Sequence, residues 1–379
     1  MKLNFDNEIE NLLKLIIKNA QEQNLRVFFV GGVVRDYFLN LENKDLDLIL
    51  EGNAIDFSSK LPPEIKIKSI HKDFATVKLQ YKNSQIDLAS TRVEKYPYYS
   101  CLPNVVSVGV DIKKDVIRRD FTVNSLYLEL SIKNNEICYK LIDLVDGVND
   151  INKKILKSLH NKTYYDDFTR ILRGINFKNR FGFDFSLKDK KLIKNFISNF
   201  KEDYFKNAST DRIMAVFFDI LKTKNYILNL KDIAKYKLYK VFGVDELKIN
   251  YKKIEKMVDE LNLDDDVKSQ FILKILRNEN LENDNSDDDF DLFELFKKFE
   301  KLNLDEISYY FYFNYGKLKN YKKYQNTFLF TKGYDLINLG FEGKKIGEIL
   351  NNLKKIKYKN PSKFLDKNDE IKYVKTSYC

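Results

Sequence analysis

The residues of this chain with the clearest chemical potential lie in residues 27–52. An apolar segment ends at the double glycine Gly31-Gly32, and a second apolar segment carries Asp45 and Asp47. Glycines at a strand-to-helix turn expose backbone N–H groups that hold phosphate oxygens. Two carboxylates spaced by two on a strand point the same way and can share hard divalent cations. A phosphate cradle beside a pair of metal ligands is what transfer of a nucleotidyl group requires.

A second polar cluster occupies residues 111–128, DIKKDVIRRDFTVNSLYL. Arg118 and Arg119 carry forked donors that suit triphosphate oxygens or a sugar, and Asp120 can fix the arginines or accept from a ribose hydroxyl. Asn124 both donates and accepts, which is useful near a ribose or a phosphate. The apolar residues between these positions are expected to be buried: Phe121, Val123 and Leu126.

A third motif, DDFTR, places Asp167 three residues before Arg170, so that the two share one face of a helix. The ordinary reason for that spacing is an ion pair. The pairing edges of cytosine and adenine, however, each offer a ring-nitrogen acceptor beside an amine donor, which an Arg–Asp pair can match. Guanine and uracil instead present a ring N–H donor beside a carbonyl acceptor, which this pair does not match. Arg173, one helical step further, is placed to help hold the base or the phosphates.

Together these motifs resemble the class II tRNA nucleotidyltransferases, or CCA-adding enzymes, and the similar bacterial poly(A) polymerases. That family carries a GGxVRD turn followed by DxD, an RRDFTINAL segment and an EDxxR segment, here with Asp166 in place of the usual Glu. The nucleotide-binding residues that the resemblance implies are Gly31, Gly32, Arg35, Asp36, Arg118, Arg119, Asp120, Asn124, Asp167, Arg170 and Arg173.

The resemblance also implies the catalytic residues. Asp45 and Asp47 are expected to hold two Mg²⁺ ions roughly 3.5–4 Å apart, which activate an RNA 3′-hydroxyl and steady the departing pyrophosphate. Asp87 lies in another apolar alternation, QIDLAS. It either joins the catalytic pair or forms an ion pair with Arg92, and both alternatives stay open from the sequence.

The expected function is template-independent addition of C and A from CTP and ATP to the 3′ end of tRNA. Enzymes that add only CC or only the final A share these motifs, as do poly(A) polymerases. A different class is an inactive RNA-binding module that kept the fold. No membrane or protein partner is implied.

The C-terminal part is expected to contact tRNA. Residues 317–379 contain 15 Lys and 6 Asp+Glu, a net charge of +9, whereas the whole chain carries +10. Such asymmetry indicates a polyanionic partner. A glycine- and lysine-containing segment near the end resembles the family's tail motif, and it implies tRNA-binding residues at Lys344, Lys345, Lys354 and Lys355. For each lysine, a solvated helix face is the alternative reading.

Composition limits the class of protein. The chain has 379 residues with 44% hydrophobic content, enough for two to four modules. It has 3 Cys and 2 His, which cannot build a zinc cluster and do not indicate disulfides. The polar start is unlike a signal peptide, and no 18-residue apolar run exists. A soluble, cytoplasmic protein is therefore expected.

The predicted fold is α+β, with a small mixed α/β nucleotidyltransferase head followed by an all-α neck, body and tail. The head has an antiparallel-rich sheet with helices, because strand patterns alternate with short helical ones up to about residue 142. The predicted boundaries are 1–142 for the head, 143–225 for a neck that selects the nucleotide, 226–300 for the body, and 301–379 for the basic tail. Residues 277–291 are predicted to be an exposed loop. Residues 207–221 sit where the family has an ERxxxE helix start, with Asp211 and Arg212 matching and Val216 replacing the later Glu.

Overall fold

A computed structural model describes residue 3 and residues 5–42, 46–200, 210–242, 249–277 and 292–378. The chain divides into two compact units, residues 1–245 and residues 246–379. Asp45 and most of the predicted loop at 277–291 lie outside the described residues. The finer boundaries between head, neck, body and tail stay predictions.

The centre of the first unit is a seven-stranded sheet in the order β3-β4-β5-β2-β1-β8-β9, antiparallel except for the parallel pair β2 and β5. Its strands are β1 (Val27–Val30), β2 (Asp47–Leu50), β3 (Ile65–His71), β4 (Thr76–Tyr81), β5 (Ser84–Ser90), β8 (Tyr127–Lys133) and β9 (Glu136–Ile142). A separate hairpin pairs β6 (Arg92–Lys95) with β7 (Asn104–Val108), and a short parallel pair joins β10 (Ile155–Leu156) to β11 (Asp184–Phe185).

Helices cover this sheet and continue beyond it. In the first unit they are α1 (Asn7–Glu22), α2 (Gly32–Phe38), α3 (Ala54–Ser58), α4 (Ile112–Asp115), α5 (Gly147–Asn152), α6 (Thr163–Asp166), α7 (Thr169–Phe181), α8 (Leu187–Ser198), α9 (Thr210–Leu221) and α10 (Tyr226–Lys235). In the second unit they are α11 (Tyr251–Glu260), α12 (Asp265–Arg277), α13 (Leu292–Phe299), α14 (Leu304–Phe313), α15 (Leu318–Gln325), α16 (Gly333–Ile337), α17 (Lys344–Lys359) and α18 (Lys367–Tyr378). No helix in the described part of the chain is long and apolar enough to cross a membrane.

The first unit folds as its apolar pattern predicts. All four residues of β1 are buried, because neighbouring strands flank it and helices cover the sheet. Helix α1 packs against β8 through the residues predicted from its helical spacing, and Asp6 caps it by accepting from the Ile9 N–H at 2.8 Å. The predicted α+β fold is confirmed.

The sequence reading differs from the structure in three places. The apolar pattern of FTVNSLYLEL favours a strand from residue 121, but the strand begins only at Tyr127, because Thr122–Asn124 forms a 3₁₀ turn. Strand β3 was not predicted, since it is an edge strand whose side chains are mostly exposed and do not alternate cleanly. The pair β10 and β11 lies where only helices were expected, and two residues per strand are too few to leave a pattern.

Candidate nucleotide-binding site

The glycine turn has the backbone conformation that its sequence predicts. Gly31 follows β1 directly and precedes α2, and its φ of 74° lies in the left-handed region that favours glycine. An added Cβ would meet nothing within 4 Å, so the backbone angle, and not crowding, requires glycine there. The open space beside this turn leaves room for a ligand.

Two of the predicted catalytic carboxylates lie side by side. Asp47 opens β2 and stands opposite Asp87 in the parallel pairing of β2 with β5, while the next pair, Leu48 and Leu88, is buried. Because side chains alternate along a strand, both carboxylates lie on the face opposite the leucines, on strands about 4.8 Å apart. Both are exposed to solvent. Oxygen ligands on adjacent strands fit a hard divalent cation.

The structure pairs Asp87 with Lys78 and not with Arg92. Lys78 Nζ lies 3.6 Å from Asp87 Oδ1. Arg92 donates to Glu94 at 2.8 Å and to the Phe74 carbonyl at 2.8 Å. Of the two alternatives left open by the sequence, the ion pair with Arg92 is therefore wrong.

The metal-binding role of Asp45 lies outside the described residues and stays a prediction. Within the described ranges, no group of three or more His, Cys, Asp or Glu side chains is arranged to hold a metal ion. Asp47 and Asp87 supply two neighbouring carboxylates, and their metal-binding role also stays a prediction.

A buried carboxylate holds both arginines of the RRD segment. Asp115 accepts hydrogen bonds from Arg118 at 2.8 Å, Arg119 at 2.9 Å, Tyr127 at 2.7 Å and the Arg92 N–H at 3.0 Å. Burial alone would raise the pKa of Asp115, but Arg119 and Arg118 outweigh it and hold this pKa well below its ordinary value. Asp115 is therefore ionised, and it fixes where the two guanidinium groups lie.

A second chain of contacts joins the RRD segment to the glycine turn. Asp120 accepts from Asn124 Nδ2 at 3.2 Å, and Asn124 Oδ1 accepts from Arg35 at 2.7 Å. Arg35 also pairs with Asp36 at 2.6 Å. Both Arg35 and Asp36 are buried, and the guanidinium lies 4.5 Å from the centre of the Phe181 ring on α7. Their predicted role in nucleotide binding is not tested by this geometry.

The proposed base-selecting pair is assembled differently from the prediction. Helix α7 begins at Thr169, so Asp167 precedes the helix and accepts from the Thr169 N–H at 3.0 Å and from its hydroxyl at 2.6 Å. Arg170 Nε lies 4.0 Å from Asp167 Oδ2, and Arg212 on α9 donates to the same oxygen. The pair is close, but Asp167 acts as a local cap and does not share a helix face with Arg170.

Asp167 is ionised and Arg170 is partly unsatisfied. Burial would raise the pKa of Asp167, but Arg212, Arg173 and Arg170 together lower it below its ordinary value. Arg170 donates to Thr163, to Tyr96 and to the carbonyl of Arg118. Among the described residues, the buried Nε atoms of Arg170 and Arg173 have no hydrogen-bond partner. An unpaired buried donor favours a ligand that brings an acceptor.

Arg173 is the most accessible cation of this cluster. Its side chain is 42% exposed and it donates to Asp120 at 3.1 Å. It therefore connects the RRD segment with α7 and still faces solvent, as a residue that contacts a phosphate or a sugar would.

A protein-family comparison finds a match for part of the first unit. A family model described as the poly A polymerase head domain matches residues 27–157, which include the glycine turn, the facing carboxylates and the RRD segment. Residues 27–157 are therefore similar in sequence to a poly A polymerase head domain.

Relatives of this head domain carry related names. An A-adding tRNA nucleotidyltransferase of Geobacter sulfurreducens is 37% identical over 187 residues, which is 48% of this chain and 21% of that protein. One of Halalkalibacterium halodurans is 33% identical over 189 residues, 49% of this chain and 43% of that protein. The matches thus span less than half the length of these relatives.

Solved structures resemble the whole chain. One described as a CCA-adding enzyme in apo form II has a TM-score of 0.76 and 25% identity, and the match covers 98% of this chain and 96% of that one. Another, described as the complex of a CCA-adding enzyme with CTP, has a TM-score of 0.73 and 25% identity, with the same coverage.

Sequence reasoning missed several partners around the head domain. Asp115, Glu94 and Tyr96 were not assigned, although Asp115 precedes Arg118 by three residues, a spacing that favours contact on a helical turn. Arg212 matches the family's helix start but was not named as a site residue, and it contacts the Asp167 carboxylate. The Asp211 side chain lies outside the described residues.

The predicted tRNA-binding lysines all lie on α17 of the second unit. Lys344 and Lys345 are exposed at its start, just after Gly343, whose φ is 54°. Lys345 lies 3.3 Å from Glu348, and Lys354 lies 2.8 Å from Glu300. Lys355 is half-buried and has contacts of its own. The tRNA-binding role of these lysines is not tested by this geometry.

Proposed function

We propose that this chain is a tRNA nucleotidyltransferase that adds C and A from CTP and ATP to the 3′ end of tRNA and releases pyrophosphate. The observation that carries the proposal is the exposed, side-by-side placement of Asp47 and Asp87 in the part of the chain that matches a poly A polymerase head domain. The names of the A-adding relatives support it. The expectation of a cytoplasmic location goes with this function.

The cofactor we propose is Mg²⁺, with two ions held by Asp45 and Asp47 and with Asp87 beside them. Bound Mg²⁺ supplies Lewis acidity toward the attacking 3′-hydroxyl and the leaving pyrophosphate. The chain's own task is to present adjacent carboxylates, which Asp47 and Asp87 do. Lys78 pairs with Asp87 and adds a positive charge beside these carboxylates.

The glycine turn and the arginines bind the triphosphate in this proposal. The N–H groups at Gly31 and Gly32 hold phosphate oxygens. Arg118 and Arg119 are preset by Asp115, so little conformational freedom is lost when they meet a phosphate. Arg35, Asp36, Asp120 and Asn124 complete the proposed nucleotide-binding set as one connected chain.

Asp167 and Arg170 select the base in this proposal. Ionised Asp167 accepts from the exocyclic amine of cytosine or adenine, and the unpaired Nε of Arg170 donates to the ring nitrogen. Guanine and uracil would leave both groups unpaired, at a cost of about 1–3 kcal/mol each. One pair therefore suits CTP and ATP and disfavours GTP and UTP.

The second unit binds tRNA in this proposal, through Lys344, Lys345, Lys354 and Lys355. Phosphate contacts release counterions, so tRNA affinity should fall steeply as salt rises.

A second candidate is addition of the terminal A alone, which the names of the two matched relatives favour. Poly(A) polymerases carry the same head chemistry, and so do enzymes that add only CC. They differ in which RNA end they accept, and that makes the RNA end the variable to change.

The experiment uses three tRNA transcripts, ending before CCA, after CC, and after CCA, each with labelled CTP or ATP and with Mg²⁺ or a chelator. Full CCA addition extends the first two and not the third. An A-adding enzyme uses ATP on the second only, a CC-adding enzyme uses CTP on the first only, and a poly(A) polymerase extends the third by many residues. Failure to extend any of the three with Mg²⁺ would overturn the proposal in favour of an RNA-binding module.

A further inference from the structure

The loop between β6 and β7 exposes large apolar side chains beside the candidate site. In residues 96–103, called here the aromatic loop, Tyr98 is 69% exposed, Leu102 is 47% exposed and Tyr99 is also exposed. Clustered exposed apolar side chains are unusual on a protein surface unless they meet a partner. The loop has a defined local structure, because Cys101 Sγ contacts the Tyr98 carbonyl at 3.0 Å within a tight turn.

The start and the middle of the aromatic loop are attached to the segment that carries the proposed base-selecting pair. Arg170 Nη2 donates to the Tyr96 hydroxyl at 3.2 Å. The Ser100 N–H donates to the Tyr165 carbonyl at 2.7 Å, and the ring centres of Tyr99 and Tyr165 are 5.2 Å apart. The exposed rings are therefore held next to the place where the incoming base would lie.

The surroundings of this loop favour a polyanion. Lys95 at the end of β6 and Lys162 before α6 are both exposed. His160, next to α6, has a pKa lowered to about 4, first by burial and then by the positive charges of Arg170, Lys188 and Lys162. An aromatic surface within a positive field matches single-stranded nucleic acid, whose bases stack while its phosphates meet cations.

We propose that Tyr98 and Leu102 of the aromatic loop bind the unpaired 3′ nucleotides of the RNA that accepts the new residue. This inference rests on the proposed function and adds the site that holds the acceptor strand. The terminal base of that strand changes as nucleotides are added. Stacking tolerates such change because every base has a π face, whereas a hydrogen-bonding pocket would reject some ends.

The test compares two pairs of variants on two RNAs. Tyr98→Ala removes the ring and Tyr98→Phe keeps it. Leu102→Ser is matched by Leu228→Ser on α10, since Leu228 is also 47% exposed. Binding of fluorescently labelled tRNA transcripts is measured by anisotropy without Mg²⁺, one ending in unpaired CC and one trimmed of its unpaired end. KM values for the CC-ending transcript and for ATP are measured separately with Mg²⁺.

Tyr98→Ala should bind the CC-ending transcript about tenfold more weakly. Its affinity for the trimmed transcript and its KM for ATP should stay within twofold of wild type. Tyr98→Phe and Leu228→Ser should bind the CC-ending transcript as wild type does. The affinity of Leu102→Ser for it should lie between those of Tyr98→Ala and wild type. Equal affinity of Tyr98→Ala and wild type for the CC-ending transcript overturns the inference, and so does an equal loss on both transcripts. Binding without Mg²⁺ keeps this test separate from the proposed function, which fails only if wild type extends no RNA end.

Discussion

Asp167 is the residue on which base selection depends in this proposal. Replacing it with Ala removes the acceptor that meets the exocyclic amine, so the preference for CTP and ATP over GTP and UTP should fall by about tenfold or more. Turnover with the preferred nucleotide should be reduced less. The measurement is kcat/KM for all four nucleoside triphosphates on CC-ending tRNA.

Asp166→Ala is the matched control for Asp167. Asp166 is the neighbouring carboxylate, and its described contact is with His160 at 3.6 Å. Selectivity should be unchanged in this variant. An unaltered C/A preference in Asp167→Ala would count decisively against the base-selecting role.

His160 should make the first unit less stable in mild acid. Its pKa is lowered to about 4 in the folded state, whereas an ordinary histidine titrates near 6.5. Below pH 6.5 the unfolded chain therefore takes up a proton that the folded chain resists, and stability is lost as the pH falls from 6.5 toward 4. The free energy of unfolding should drop by about 1 kcal/mol between pH 7.5 and 5.5 through this residue.

The measurement is denaturant unfolding followed by circular dichroism at both pH values. His160→Gln should remove that part of the pH dependence, and His71→Gln, which changes the chain's other histidine, should leave it in place. If His160→Gln and wild type lose the same stability between these pH values, the buried environment of His160 is not what the structure describes.

The sequence indicated candidate ligand-binding side chains, but it did not indicate all of the residues that hold them in place. Asp47 is exposed, and the side chains of Asp87 and Arg173 are 45% and 42% exposed, as those of ligand-binding residues would be.

Asp115 and Tyr96 belong to none of the motifs. Asp115 contacts Arg118 and Arg119, three and four residues further along the chain, and that spacing was a signal in the sequence. Tyr96 contacts Arg170 across a long sequence separation, so this contact is visible only when the chain is folded.

Helix α7 is held against the head by close packing at Gly174. A Cβ on Gly174 would lie 2.5 Å from the Phe185 ring and 2.8 Å from the Phe121 ring, both of which are buried. Gly174→Ala should therefore destabilise the protein by about 1–3 kcal/mol, since neither ring can yield without moving the packed core. The position of Arg170 and Arg173 relative to the RRD segment depends on this contact.

Gly347→Ala on α17 is the control for the helix effect alone. No atom lies within 4 Å of a Cβ there, so the substitution should stabilise by about 0.5–1 kcal/mol. Thermal unfolding of both variants gives the comparison. A Gly174→Ala variant as stable as wild type would show that α7 does not pack as tightly as described.

The strands inside the sheet were the easiest to predict, because the side chains on their two faces follow a clear apolar pattern. Strands β1, β2, β5 and β8 have apolar runs or clean alternation because they lie inside the sheet. The hairpin of β6 and β7 stands apart from that sheet, and its mostly exposed residues leave little signal. The segment missed for this reason is the one that presents the aromatic loop.

For the molecule as a whole, structural similarity to known proteins extends over more of the chain than sequence similarity does. Identity of 37% is confined to 187 residues, while the structural match with 25% identity covers 98% of the chain. Stacked helices need only apolar residues at helical spacing, so many sequences build the same second unit.

The most direct test of the whole account is Asp47→Asn, compared with Asp56→Asn, which changes an exposed carboxylate on α3. Single-turnover addition of labelled AMP to CC-ending tRNA is measured together with the Kd for that tRNA. Asp47→Asn should slow addition by about a thousandfold, because it removes the charge of a ligand proposed for Mg²⁺, while the tRNA Kd stays within twofold of wild type. Asp56→Asn should match wild type in both. Addition by Asp47→Asn within tenfold of wild type would contradict the metal-dependent transfer that is proposed for this site.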